Sequence, residues 1–353
     1  MTQFFCSEFS RQAGEDIIGS GTNYQTYILV ECPAPWASEA FESKAVPENL
    51  RSLVNEVERA KLPIRFLLIE NPASKSGDRT KLLIYDKKKE KLTNGYRKKE
   101  FNLENIEQVA AIVRKYLAGE IPDWYSQVDV GNEEATRDIL VCTHGSHDKC
   151  CARYGNPFYR QAISAVCELQ LSHIRIWKAS HFGGHRFAPT IIDFPDGRYY
   201  GVLDRESFKS ILTRTGDIKC LNRVYRGWGI LPNPLQVLER ELILRHGWDW
   251  FNYKVASRII EQNSDYNVIH LDNLKSDSNV ISLDNRLRLD KDVIQAELTF
   301  EKPDGSVYSY QAELVKDESK TLHLKGSCGA RKESEFVKYS VENLRLELEE
   351  MVG

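Results

Sequence analysis

No apolar stretch in this 353-residue chain approaches the ~20 residues that span a bilayer, so no membrane partner is expected. The opening M-T-Q-F-F-C-S-E-F-S-R lacks the apolar core of a secretory leader, and a cytoplasmic location is expected. Basic charge is not in excess: 48 Lys and Arg face 51 Asp and Glu, leaving a net charge of −3 without the footprint of a nucleic-acid binder. Lysines do gather in D-K-K-K-E-K-L from Asp86 and in R-K-K-E from Arg97, but such runs ordinarily form solvated faces. No G-x-G-x-x-G follows a predicted strand, which argues against a flavin or nicotinamide domain of that type. Nor does any pair of carboxylates stand ready for glycoside hydrolysis.

What is present is chemistry packed into two loops. The first, I-L-V-C-T-H-G-S-H-D-K-C-C, carries Cys142, His144, His147, Cys150 and Cys151. The second, K-A-S-H-F-G-G-H-R-F-A-P-T, carries His181 and His185. Each follows a short apolar run that reads as a buried parallel strand, and open α/β sheets gather ligands at the carboxyl ends of such strands. These two loops hold four of the eight histidines and three of the eight cysteines. In a reducing compartment, clustered cysteines point to metal or redox chemistry rather than to disulfides.

The chain is long enough for two or three domains. Its first part predicts a strand at 26–32, a helix at 50–62, strands at 64–69 and 81–85, and a helix at 105–117. The middle part repeats that order. A strand at 138–142 leads into the cysteine loop, Asn156 and Pro157 read as N-cap and first residue of a helix, and a strand at 173–177 leads into the histidine loop. A hairpin over 190–203 turns at Pro195 to Gly197. Ile64 and Ile174, Thr80 and Thr190, and Cys32 and Cys142 are each 110 apart. The expected fold is therefore α/β, a tandem pair of thioredoxin-like β-α-β-β-α units followed by a C-terminal α+β accessory region. Expected domains are 1–130 without a metal group, 131–216 carrying one, and 217–353 as the accessory region. In the first copy, Asn71 and Lys75 stand where His181 and His185 stand in the second, so that copy is expected to be empty. The accessory region predicts a helix over 232–247, a hairpin of 293–300 with 307–315, and a strand from Tyr339.

Two cysteines with two histidines suit structural zinc or an iron–sulfur cluster. Cys142 and Cys151 are nine apart, wider than a zinc knuckle, whereas the long loop between them can wrap a cluster. Cys142-Thr143-His144 matches half of a Rieske motif, but the second half is missing. His181 and His185 have the better setting, because Gly183 and Gly184 allow unusual backbone angles and Phe187 and Ala188 can exclude water.

At these residues the sequence resembles the sucrase/ferredoxin-like proteins, a branch of thioredoxin-like 2Fe-2S ferredoxins. Their pattern, C-x-H-x-x-R-D-x-x-C then H-x-x-G-H-x-F/Y-A, stands here as Cys142, His144, Asp148, Cys151, then His181, Gly184, His185, Phe187, Ala188. The bacterial E-x-P-G-P-W stands as E-C-P-A-P-W from Glu31 to Trp36. The resemblance covers residues 1–205 well and the rest loosely. It implies that Cys142 and Cys151 hold one iron of a 2Fe-2S cluster and that His181 and His185 hold the other. His147 replaces the usual arginine and Ala34 the usual glycine; neither change removes a ligand. Its register favours Cys151 over Cys150. His144 and His147 read as supporting or exposed side chains. Asp148 reads as a cap, or as an acceptor from a ligand histidine. Cys6, Cys32, Cys167, Cys220 and Cys328 read as buried or spare thiols, with Cys328 in G-S-C-G standing out. The expected function is electron transfer between unknown donor and acceptor proteins, closer to an oxidoreductase than a hydrolase. Imidazole ligands would lift the potential toward the Rieske range, roughly −150 to +300 mV, and would couple protons to electrons through His181 and His185. The rivals are a zinc-stabilised binding module and a thiol oxidoreductase using Cys150 and Cys151 at a helix N-terminus.

Overall fold

The computed structural model describes residues 4–72, 79–121, 136–260 and 292–348. After helix α1 (Cys6–Gln12), the first half runs β1 (Thr26–Glu31), α2 (Glu48–Arg59), β2 (Ile64–Glu70), β3 (Thr80–Lys87), β4 (Tyr96–Leu103) and α3 (Val109–Leu117). The second half runs β5 (Arg137–Cys142), α4 (Lys149–Glu168), β6 (Ile174–Ala179), β7 (Ile191–Phe194), β8 (Arg198–Tyr200) and α5 (Arg205–Thr213). Then come α6 (Leu221–Val224), β9 (Tyr225–Trp228), α7 (Asn233–His246), β10 (Lys254–Ile260), β11 (Val293–Glu301), β12 (Val307–Lys316), β13 (Leu322–Leu324), β14 (Ser334–Phe336) and β15 (Tyr339–Leu348). The class is mixed α/β. The helical period predicted for α2 buries Leu50, Leu53, Val54 and Val57, and the predicted α7 and β11–β12 hairpin are in place.

Nine strands form one sheet in the order β4-β3-β1-β2-β6-β5-β7-β8-β9, and β10-β11-β12-β15 form a second. Within each half the first two strands run parallel and the third pairs antiparallel with the first. The halves meet at a short antiparallel seam of β2 and β6, where Ile69 faces Ala179 and Glu70 faces Lys178. One face of the first half is covered by α2 and α3, through Ile28, Val30, Leu68 and Phe101. Its other face packs against the second half, where Tyr85 stacks on Phe194 at 4.2 Å and the Tyr27 and Tyr199 hydroxyls meet at 2.5 Å.

Four expectations need correction. The charged run from Arg97 is no solvated face: it lies on β4, a strand the sequence reading left out, with Lys99 and Glu100 buried. Helix α4 starts at Lys149, well before Pro157, which sits inside it. Proline is commonest in a first helical turn, and that preference misplaced the start. The repeat is offset by 111 in its first strand, since Thr26 pairs with Ile64 and Arg137 with Ile174, so Glu31 and not Cys32 is the counterpart of Cys142. β9, beyond residue 216, completes the large sheet. Lys75 lies outside the described residues.

Ion pairing explains how β4 can be buried. Asp138 of β5, fully buried, accepts from Lys98 at 2.8 Å, Arg175 at 2.7 Å, Trp177 at 2.7 Å and Tyr85. Glu100 pairs with Lys98 at 3.0 Å, Lys81 at 3.1 Å and Arg175 at 2.8 Å. Burial alone would raise the Asp138 carboxyl, but the Arg175 and Lys98 charges outweigh it and hold it below the usual value. Its contribution is therefore complete above about pH 4 and lost as pH falls through the lowered value. Replacing Asp138 with Ala leaves two cations with Glu100 alone and takes the acceptor from two buried donors, Trp177 and Tyr85, and should cost about 3–5 kcal/mol in urea unfolding at pH 7. A loss below about 1 kcal/mol, the ordinary worth of an exposed pair, would show that the network does not tie the halves together.

Candidate metal centre

The cysteine loop is built by a helix cap. Asp148 caps α4, its Oδ1 accepting the Cys150 N–H at 2.9 Å, and so places Cys150 and Cys151 in the first helical turn. The two thiols then diverge. Cys151 turns toward Cys142, at the end of β5, and toward His181; Cys150 turns away toward Cys6 and Cys328. The first half supplies the loop's bed: Ser146 Oγ donates to the Trp36 carbonyl at 2.6 Å, and His147 Nδ1 lies 3.3 Å from the Ser38 carbonyl. A carbonyl can only accept, so His144 Nε2, 2.6 Å from the Ala37 carbonyl, carries the proton. His144 Nδ1 then accepts the His181 backbone N–H at 3.2 Å. His144 is thus a neutral positioning residue, and burial holds its pKa down.

The histidine loop is anchored across the seam by a Ser180 backbone bond to Leu68 at 2.8 Å and by Arg65 donating to the His181 carbonyl at 2.8 Å. Gly183 (φ 94°) and Gly184 (φ 79°) turn it back. A side chain at Gly184 would also strike the buried Arg226 guanidinium, 2.4 Å from where its Cβ would sit. Imidazole tautomers follow from their partners. His185 Nε2 donates to the Gly326 carbonyl at 2.6 Å, leaving Nδ1 as the lone-pair nitrogen, 3.4 Å from His181 Nε2. With the His181 proton on Nε2, its bare Nδ1 faces Cys151 Sγ at 3.6 Å and Cys142 Sγ at 3.9 Å.

All four sequence-predicted ligands therefore meet, with the thiols on one side of His181 and His185 on the other. The cysteines are buried, whereas His181 and His185 are partly exposed. Cys151's hydrogen bond holds the Cys142 thiol below its usual pKa, and the same bond pushes Cys151 up. Burial and the neighbouring histidines drive His181 down to about 2. Arg226, fully buried against Gly183 and Ser20, is lowered to about 10 by burial and remains a cation facing Cys142. Phe182 is buried in the same apolar cluster as Cys142 and Cys151, whereas Ala188 packs with Cys6 and Cys150.

Sequence reasoning underrated three residues. His147, set aside as exposed, stacks on His181 at 4.0 Å and joins it and His185 as a potential ligand group. Cys6 and Cys328, read as spare thiols, meet Cys150 at 3.5 and 3.3 Å. Hydrogen bonding from Cys6 lowers the Cys150 thiol to about 6. No spacing rule could find this trio, because its members lie more than 140 residues apart. Asp148 caps as expected, but its second oxygen takes the Cys328 N–H at 3.0 Å rather than a histidine.

Fold and site together define a mixed α/β protein with a cysteine–histidine centre at the carboxyl ends of two central strands, β5 and β6. Residues 17–227 match the sucrase/ferredoxin-like family model, and the chain belongs to that family. It is similar to altered inheritance of mitochondria protein 32 of Meyerozyma guilliermondii, 26% identical over 95 residues. That match spans 26% of this chain and about a third (34%) of the yeast protein. No solved structure matches.

One residue beneath the site gives a sharp test. Gly155 of α4 lies against β5, where an added Cβ would fall 1.9 Å from the Cys142 carbonyl oxygen. Helix propensity alone makes Gly155→Ala stabilising by about 1 kcal/mol. The clash should reverse that sign and cost about 1–3 kcal/mol as Cys142 is pushed from Cys151. Thermal unfolding decides, and a raised Tm would disprove the close approach.

Proposed function

We propose that this protein is an electron carrier holding a 2Fe-2S cluster through Cys142, Cys151, His181 and His185. The observation that carries the reading is the convergence of two buried thiols and two imidazoles whose bare nitrogens are set by fixed hydrogen bonds. Cys142 and Cys151 would hold the inner iron and His181 and His185 the outer one, on a thioredoxin-like frame repeated in both halves. The cluster supplies one reversible electron. The chain does the rest. Arg226 offsets the negative charge of the thiolates, and Phe182, buried in the same apolar cluster as Cys142 and Cys151, excludes water from the inner side. His144 holds the His181 backbone N–H, and Gly326 accepts the ring proton of His185, a second hydrogen bond that tunes a ligand's basicity. Exchange with partner proteins runs through the histidine side, since His147 is exposed and stacks on His181. Eight free cysteines suit a reducing compartment.

A second reading has its own support: Cys142, Cys151 and His181 offer ligand atoms all within 4.8 Å of one another, a spacing that one zinc ion can span. Metal analysis separates the two. Protein purified without oxygen should be coloured and contain two irons and two acid-labile sulfides per chain. Cys142→Ser and Cys151→Ser should each lose at least nine-tenths of that iron, while Cys150→Ser should keep it. A colourless, iron-free protein that gives up one zinc on the same two substitutions would establish the zinc centre instead.

A further inference from the structure

A second cysteine cluster lies back to back with the proposed centre. Cys6 opens α1, Cys150 stands in the first turn of α4, and Cys328 sits in the loop between β13 and β14. Their sulfurs form a nearly equilateral triangle with sides of 3.5, 3.3 and 3.6 Å. None of these separations is a bond, since a disulfide holds its sulfurs at about 2.05 Å. Three thiols cannot all pair as disulfides in any case. Three thiolates around one zinc, each at about 2.3 Å in tetrahedral geometry, stand about 3.8 Å apart. The observed triangle needs only a small opening to reach that spacing, whereas an inorganic cluster, with several atoms between the sulfurs, would need a much wider cradle.

A fourth donor is present. Asp148 has a carboxylate oxygen within 4.8 Å of all three sulfurs. Each of its oxygens already accepts one backbone N–H, Oδ1 from Cys150 and Oδ2 from Cys328, and each keeps a lone pair. Ser7 Oγ donates to Cys150 Sγ at 3.2 Å, which favours the thiolate. Cys6, Cys150 and Asp148 are buried and Cys328 is partly exposed, so an ion has a route in.

We propose that Cys6, Cys150 and Cys328, with Asp148 as fourth donor, bind one zinc ion at a structural site separate from the Cys142–His185 centre. The site clips three distant segments together: the N-terminal helix, the start of α4 and the loop that ends in Cys328. That last loop also supplies the Gly326 carbonyl that receives the His185 proton, so the clip holds in place the backbone that orients His185. A second tie on the same side, Arg186 to Glu15 at 2.9 Å with its guanidinium 3.6 Å over the Phe336 ring, closes the C-terminal region over the histidine loop. Adjacent cysteines thereby serve two sites, Cys150 outward and Cys151 inward.

The test counts zinc and iron separately in the same full-length protein, purified under reducing conditions without chelator. One zinc per chain is expected from this site. Cys6→Ser and Cys328→Ser should each cut it at least tenfold while more than half of the iron stays, since its four ligands are untouched, and Cys167→Ser, an exposed thiol, should leave both metals alone. Because either variant could fold poorly, wild-type protein stripped of zinc is also titrated with cobalt(II). An intense near-ultraviolet thiolate-to-cobalt band at one equivalent, competed away by zinc, supports the site even if the variants aggregate. Zinc that persists in both variants, or wild type that takes up neither zinc nor cobalt, overturns the proposal. A disulfide between any two of the three in reduced preparations overturns it too. Because iron is read independently, loss of the cluster reading leaves this result standing, and the converse holds.

Discussion

The Asp148 carboxylate is the interaction on which this region of the molecule depends. One oxygen caps α4 and the other holds the backbone of Cys328, 180 residues further along. A capping aspartate satisfies an N–H that would otherwise be unpaired at the helix start, and in doing so it fixes the rotation of the first turn. That rotation is what sends Cys150 and Cys151 to opposite sides. Without it, neighbouring thiols on a loose loop would compete for the same partners.

Around that cap the two halves of the chain divide the labour unequally. The second half brings every proposed ligand of the cysteine–histidine centre. The first half, which lacks histidines at the matching loop, supplies the Trp36 to Ser38 backbone beneath the cysteine loop and Arg65 beneath the histidine loop. The first half is thereby a scaffold for the second half's loops. The β2–β6 seam makes this possible, because an antiparallel junction brings the two loop-bearing strand ends to the same place.

Electrostatics holds this joint together. Asp138, Glu100, Arg175 and Lys98 form a network across strands from both halves, and truncating either buried carboxylate takes one of two anionic partners from each cation. A second buried set, Arg198 with Glu239 and Tyr225, does similar work between the large sheet and α7. In the second set only Nη1 of the Arg198 guanidinium is hydrogen-bonded, to Tyr225 and Glu239, while Nε and Nη2 are buried without a hydrogen-bond partner among the described residues.

Much of this was legible along the chain. Short apolar runs located β1, β2, β5 and β6, helical spacing located α2 and α7, and the two ligand loops were found because their donors cluster within a few residues. Such signals are local: a strand or a helix repeats its pattern over a handful of positions. β4 was missed because its charges are neutralised by residues on other strands, which no local pattern records. The start of α4 was misplaced because a proline outweighed an aspartate cap. The Cys6–Cys150–Cys328 triangle, the imidazole tautomers and the docking of one half on the other depend on contacts between segments more than a hundred residues apart. Donor type and loop spacing belong to the sequence alone, whereas which donors share a site, and which nitrogen each histidine leaves bare, was decided only when the sheet folded the two halves together.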